Sequence, residues 1–117
     1  MLVFGNICRE LGNWENGGTM SAINSAVSGM QAAQTRLGAA AHNVANLSTE
    51  NFRRQTVIQS EQAAGGVYAG VSQSSVVGNS LEGDLVGQLV AKSEFLANLA
   101  VFKAGSSMLG SLFDAKV

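Results

Sequence analysis

The sequence predicts a mainly α-helical chain: two long terminal amphipathic helices packed as a coiled-coil-like pair, with a short central β-hairpin. Three observations predict this fold: an apolar repeat over residues 22–47, an alternating segment after Gly66, and a long apolar stripe after Ser80. The chain has 117 residues and no proline, which is enough for one small domain.

The first predicted helix spans Ala22–Leu47. Its apolar residues follow steps of three and four, which is the a/d seam of a heptad repeat. A helix of this length measures about 39 Å at 1.5 Å per residue. Three of the eight seam residues are alanine, which buries little area, so we expect the helix to be ordered only against partners. The seam comprises Ile23, Ala26, Met30, Ala33, Leu37, Ala40, Val44 and Leu47.

A β-hairpin is predicted between the two helices. β-branched residues over Gln55–Gln59 favour a strand, and Glu61–Gly66 is predicted to be a loop. Apolar side chains at alternate positions from residue 67 to residue 77 predict a second, half-buried strand. A turn then leads to Ser80, which we expect to be the N-cap of the last helix.

The last helix is predicted over about Leu81–Ala115. Glu82 and Asp84 lie in its first turn, where the helix dipole favours negative charge. Its apolar stripe is bulkier than the seam of the first helix, so large residues of one helix can pack between small residues of the other. The stripe comprises Leu81, Leu85, Leu89, Phe95, Leu96, Leu99, Phe102, Leu109, Leu112 and Phe113.

No catalytic, cofactor or metal constellation is present in the sequence. The one histidine, His42, has no cysteine or carboxylate pair nearby, and Gly105–Ser111 has glycines at P-loop spacing but no lysine. The net charge of −1 and pI of about 5.7 indicate neither nucleic acid nor an anionic membrane surface as a partner. Charged residues interrupt the last helix, so we expect no transmembrane segment. Because no catalytic constellation is present, we expect neither enzymatic activity nor a small-molecule substrate.

Residues 1–19 do not fit the rest of the pattern. They contain Cys8 and Trp14 and resemble no secretory signal peptide. Codons for the two glycines before Met20 can form a ribosome-binding site, so we interpret residues 1–19 as an extension that is not translated. The alternative is an authentic, disordered N-terminal tail.

The segment Ala41–Gln55, AHNVANLSTENFRRQ, resembles the N-terminal signature of bacterial flagellar rod, hook and hook-associated proteins, roughly Ala-Asn-Asn-Ile-Ala-Asn-x-x-Thr-Pro-Gly-Tyr-x-Arg. Glu50-Asn51 replaces the family's Pro-Gly, but asparagine also tolerates a left-handed turn. The C-terminal segment resembles the family's last helix, with an aromatic before Ala-Asn and a later Met-Leu. The residues that carry the resemblance are Ala41, Asn43, Val44, Ala45, Asn46, Thr49, Phe52, Arg53, Phe95, Ala97, Asn98, Met108 and Leu109.

The resemblance implies a structural subunit of the flagellar basal-body rod with three segments: a signature helix over 20–55, a hairpin insert over 56–80 and an axial helix over 81–117. It implies export through the flagellar type III apparatus without a cleavable signal peptide, and assembly in the periplasm with itself and other rod and hook subunits. Asn43, Asn46 and Asn98 are candidates for polar contacts that set the register. The expected subunit contacts are Met30, Leu37, Val44, Leu47, Leu89, Phe95, Leu99, Phe102, Leu109 and Phe113.

Two other classes stay open at this point. A needle-like or translocon accessory protein of a type III secretion system also polymerises through paired helices, but it does not need the predicted hairpin. A cytosolic coiled-coil adaptor is expected to fold as a stable dimer without further partners.

Overall fold

The computed structural model describes residues 2–115, with side chains described from residue 20 onward. Four elements follow one another: α1 (Leu2–Ala45), β1 (Arg53–Glu61), β2 (Val67–Val77) and α2 (Leu81–Ala115). The predicted fold class is confirmed, because the two helices pack together and an antiparallel two-stranded hairpin lies between them in sequence. The side chains of Cys8 and Trp14 lie outside the described residues, and a start of translation at Met20 stays a prediction.

The two helices run antiparallel and approach closely through small residues. Ile23 lies against Gly105 near one end of the pair, and Asn43 reaches Asp84 near the other. Between them, a Cβ atom added to Gly29 would lie 2.6 Å from the Oδ1 atom of Asn98, so a larger residue at position 29 would have to displace the Asn98 side chain. This antiparallel helix pair is compatible with a coiled coil.

The buried face of α1 is wider than the predicted seam. The seam alanines Ala26, Ala33 and Ala40 are buried as predicted, but Ala32 and Ala39, which lie outside the seam, are buried too. The reason is that α1 has two neighbours, since it packs against α2 on one side and against the hairpin on another. Leu37, a member of the seam, is 42% exposed.

The hairpin lies along α1 and is attached to it at both ends. At the loop, the N–H of Val67 donates to the Oγ atom of Ser28 at 3.1 Å. Gly65 and Gly66 adopt φ values of 92° and 96°, which suit glycine, and a Cβ atom on Gly66 would lie 2.5 Å from that same Oγ atom. At the open end, Asn43 bonds the backbone of β1. These two attachments fix the position of the hairpin relative to the helix pair.

The connections at the ends of the helices follow the predicted turn chemistry. After α1, Asn51 has a φ of 57°, so asparagine does adopt the left-handed conformation where the family pattern has glycine. Before α2, the carbonyl of Ser80 accepts the N–H of Asp84 at 3.0 Å, which places Ser80 at the predicted helix start. Asn79 connects the two turns, because its Nδ2 atom donates to the carbonyl of Leu47 at 2.6 Å.

Candidate assembly surfaces

A buried asparagine joins three elements. Asn43, which is 2% exposed, donates from Nδ2 to the carbonyl of Gln55 at 2.9 Å and accepts the N–H of Gln55 on Oδ1 at 2.8 Å. The same Nδ2 atom lies 3.3 Å from the Oδ1 atom of Asp84 on α2. The side-chain amide of Asn43 both donates to and accepts from the backbone of Gln55, as a neighbouring strand would, and this attaches the hairpin to α1. Asn43 also contacts Asp84 on α2.

Arg54 completes this group by pairing with Asp84. The guanidinium NH2 of Arg54 bonds the Oδ1 atom of Asp84, and the carboxylate side chain is 5% exposed, compared with 29% for the arginine. The ladder between β1 and β2 is irregular between Arg53 and Gln55, and such bulges redirect a side chain. Arg54 thus makes an ion pair within the chain, whereas its neighbour Arg53 is exposed. We call Asn43, Arg54 and Asp84 the polar tie.

A second ion pair crosses the helices halfway along their contact. Arg36 NH1 lies 2.6 Å from the Oε1 atom of Glu94, and both side chains are partly exposed, at 31% and 40%. Asn98 lies one turn further along α2, where its Nδ2 atom donates to the carbonyl of Glu94 and its side chain covers Gly29. Because solvent screens partly exposed pairs, this pair contributes less to stability than the polar tie.

The surface of α2 that faces away from α1 is apolar and uncovered. Leu89 is 69% exposed and lies about 160° around the helix from buried Ala91 at 100° per residue. Of the 35 residues in α2, Asp84, Ala91 and Gly105 are the buried ones. We call the exposed apolar residues on the opposite side and on one flank of α2 the outward face: Leu85, Val86, Leu89, Val90, Leu96 and Val101.

By length and composition, α2 is also apolar enough to cross a membrane. An 18-residue window within Leu81–Ala115 has a mean hydropathy of 1.3, and 6% of that window is buried. We expected the charged residues of α2 to rule out a membrane span, but its composition still allows one. The absence of a membrane span therefore stays a prediction. A large exposed apolar surface in a helix of this length indicates an interaction site.

The predicted contact residues fall into two groups in the single chain. Four are exposed and free to meet another molecule: Leu37, Leu47, Leu89 and Phe113. The others are half-buried along the border of the helix pair: Met30, Val44, Phe95, Leu99, Phe102 and Leu109. Their role between subunits stays a prediction.

The signature residues after Asn43 organise the turn that follows α1. Asn46 donates to the carbonyl of His42 at 2.8 Å, and Thr49 lies 3.3 Å from the Oδ1 atom of Asn46. The ring of Phe52 packs against that of His42 with centroids 5.6 Å apart, while Arg53 is exposed. Asn46 therefore stabilises the helix end in this chain, whereas a register-setting contact by Asn46 stays a prediction.

Sequence reasoning missed the contribution of Arg54 and Asp84. The signal was a second repeat in α2, because Asp84, Ala91, Asn98 and Gly105 are spaced seven residues apart. These small and polar residues approach α1 most closely, and Phe95, Phe102 and Leu109 lie on the same side of α2 and are half-buried. Among the side chains that the structure describes, no three His, Cys, Asp or Glu residues are grouped so that they could hold a metal ion.

Comparison with protein families matches residues 23–53 to the family described as flagella basal body rod protein. The resemblance to the flagellar basal-body rod family is confirmed. The matched segment contains the α1 seam, Asn43 and the turn through Asn51, which are the features that attach α1 to both of its neighbours. A comparison with curated proteins finds no match.

The match to the flagellar rod family supports a structural role in the basal-body rod. The family is a structural component of the flagellum and is not known for enzymatic activity. A rod role also suggests the basal body as the location and other rod or hook components as partners.

Proposed function

We propose that this chain is a rod subunit that assembles through α1 and α2 and is needed for motility driven by the flagellum. The observation that supports the proposal is the outward face of α2, which is apolar and uncovered in a chain whose α1 matches the rod family. Export in an unfolded state through the flagellar type III apparatus, without a cleavable signal peptide, accompanies this role. Assembly follows in the periplasm.

The small residues at the helix contact explain why so much apolar surface is left for assembly. Alanine, glycine and asparagine residues lie where the two helices approach most closely. No large side chain is fully buried among the described residues. A leucine that becomes buried contributes about 1.5–3 kcal/mol. Several leucines and valines on the outward face therefore provide enough free energy to bind a neighbouring subunit.

The exposed side of α1 offers a surface that complements the outward face. Over residues 20–45 this side is uncharged and carries small residues, among them Gly38, where an added Cβ atom would meet nothing within 4 Å. Bulky side chains of α2 can pack onto such a surface when subunits stand side by side. Because the two contacting surfaces differ, the contact is heterologous and can extend into a helical polymer.

The test replaces Leu89 with aspartate in a strain in which this gene is the sole copy. The side chain is 69% exposed in the single chain, so we expect normal folding and expression. Burying an unpaired carboxylate between subunits costs several kcal/mol, so we expect loss of rod assembly and of swimming. The measurements are a soft-agar motility assay, counts of assembled basal bodies and the amount of exported protein.

Lys103→Asp is the matched control. It places the same carboxylate on an exposed position of α2 at the edge of the outward face, where we expect a milder defect because solvent screens the charge. The proposal fails if cells carrying Leu89→Asp swim like wild type while cells lacking the gene do not.

A further inference from the structure

The outer edge of β2 faces away from α2. On its other side, β1 lines grooves together with α2: Gln55 lies across one groove from Gly87, and Glu61 lies across another from Asn98. The groove beside Tyr68 on β2, by contrast, is lined by residues of α1, the hairpin loop and β2 itself. Since β1 lies between β2 and α2, the edge of β2 is the open edge of the sheet.

The hydrogen bonds near the loop show which backbone N–H and carbonyl groups of β2 point towards this open edge. The N–H of Gln62 donates to the carbonyl of Gly66 at 3.0 Å, while the N–H of Val67 bonds Ser28 instead of β1. Paired and unpaired residues alternate along an antiparallel ladder. The same alternation directs the N–H and carbonyl groups of three further residues away from β1: Ala69, Val71 and Gln73.

Residues that usually protect a free edge are missing from β2. Strand edges are commonly blocked by charged side chains or by proline, and none of the 11 residues of Val67–Val77 is of either kind. β1 carries Arg53, Arg54 and Glu61. Three valines on β2 are at least half exposed: Val71, Val76 and Val77. The open edge is therefore also the uncharged edge.

We propose that β2 pairs with β2 of a second copy of this chain, antiparallel, to form a four-stranded sheet. The pairing of β1 and β2 is regular over Val67–Gln73, and Gly70 is the centre of this segment, so Gly70 lies opposite Gly70 of the second copy. The N–H of Val67 stays bonded to Ser28, so the new backbone bonds are those of Ala69 and Val71. Ala69 then lies opposite Val71 of the second copy, so that outward donors meet outward acceptors on both strands. The contact is symmetric and closes as a dimer.

The helices can accommodate this sheet. A two-stranded hairpin is about 10 Å wide at about 4.8 Å per strand, and an α-helix is also about 10 Å across. Because α1 runs beneath its own hairpin from Ser28 to Asn43, the two copies of α1 can lie side by side under the four strands. The contact uses neither the outward face of α2 nor the polar tie, so it is independent of the proposed rod contact.

The test is a disulfide across the two-fold axis, in full-length protein that carries Cys8→Ser. Gly70 opposite Gly70 is a pair without mutual hydrogen bonds, with Cα atoms about 4.5 Å apart, which is within the range that a disulfide spans. We expect Gly70→Cys to form a covalent dimer under mild oxidation. Thr56→Cys places a thiol on the same outer side of the hairpin but on β1, and we expect it to stay monomeric.

A charge exchange at the same position tests proximity without a covalent bond. A Cβ atom on Gly70 would lie 3.5 Å from the Tyr68 ring, an ordinary contact, so side chains are tolerated there. Gly70→Lys and Gly70→Glu should each abolish the dimer in analytical ultracentrifugation, and mixing the two proteins should restore it. Unchanged circular dichroism spectra of both variants verify the fold.

The possible outcomes separate this proposal from the proposed rod role. The β2 pairing is overturned if Thr56→Cys cross-links and Gly70→Cys does not, or if neither variant cross-links. It is also overturned if Gly70→Lys forms a dimer without its Gly70→Glu partner. Adding Leu89→Asp to Gly70→Cys should leave the cross-link unchanged, because the outward face of α2 takes no part in it. Loss of the cross-link in that double variant also overturns the proposal.

Discussion

Replacing Asp84 with alanine should destabilise the chain more than any change to a nearby exposed residue. The carboxylate is 4% exposed and accepts hydrogen bonds from Arg54 on β1 and from Asn43 on α1. Its removal leaves the arginine without its acceptor, and Arg54 Nε is already buried with no hydrogen-bond partner among the described residues. The perturbation therefore breaks a buried ion pair from one side.

The magnitude follows from burial. Removing one partner of a fully buried ion pair costs about 3–5 kcal/mol. The Arg54 side chain is 29% exposed and can partly regain water, which reduces the cost to about 2–3 kcal/mol for this pair. Loss of a negative charge from the first turn of α2 adds about 0.3–1 kcal/mol through the helix dipole.

The assay is urea unfolding followed by far-ultraviolet circular dichroism, with Glu82→Ala as the control. Glu82 lies in the same first turn but is exposed, so its variant loses the dipole contribution without the ion pair. We also expect the double variant Asp84→Ala, Arg54→Ala to lose less stability than the sum of the single variants. If Asp84→Ala and Glu82→Ala unfold at the same urea concentration, the polar tie does not stabilise the fold and the reasoning is refuted.

Three further predictions concern close approaches and turns. Gly66→Ala should cost more than about 1 kcal/mol and increase cleavage at the hairpin loop in limited proteolysis, because its Cβ would clash with a serine hydroxyl on α1. Gly65→Ala has a similar φ, but its Cβ would make only ordinary contacts, so it should cost less. Asn51 has a φ of 57°, which glycine adopts readily, so Asn51→Gly should leave the urea midpoint equal or higher. Asn51→Val should lower the free energy of unfolding by more than about 1 kcal/mol, because a β-branched residue is strained at this φ. Gly29→Ala should lower the thermal midpoint by forcing the helices apart. Because the clash is with the Asn98 side chain, adding Asn98→Ala should restore much of the lost thermal midpoint. If the double variant shows no recovery, the helix backbones themselves collide.

The sequence predicted the order and type of all elements because each has a local cause. Alternation marked the second strand, and the strand observed over Val67–Val77 has the predicted limits. Positive φ at Asn51 followed from the tolerance of asparagine for the left-handed region. The start of α1 was missed, since the observed helix begins at Leu2 and the apolar repeat used for the prediction begins near Ala22.

The polar tie could not be predicted from local pattern. Glu82 and Asp84 both suited the first turn of α2, and Arg53 and Arg54 both suited the start of a strand. Which acid meets which base depends on the irregular ladder at Arg54 and on the side of α2 that faces α1, and both are set by packing of distant segments. Asn43 was proposed as a polar register-setting contact, which stays a prediction, and its strand-like bonds to Gln55 depend on the location of the hairpin.

The division of residues between the two sides of α2 connects the fold with assembly. Asp84, Ala91, Asn98 and Gly105, which approach α1 most closely, are small or polar, and no large side chain among the described residues is fully buried. The single chain therefore gains limited hydrophobic free energy from the helix pair. The polar tie supplies register instead, because sliding α2 by one heptad would bring Ala91 opposite Asn43 and leave Arg54 without a carboxylate. The leucines and valines of the outward face then remain available for contact with other subunits. A helix pair with this arrangement has its register fixed within the chain, while much of its apolar burial is left to the assembly.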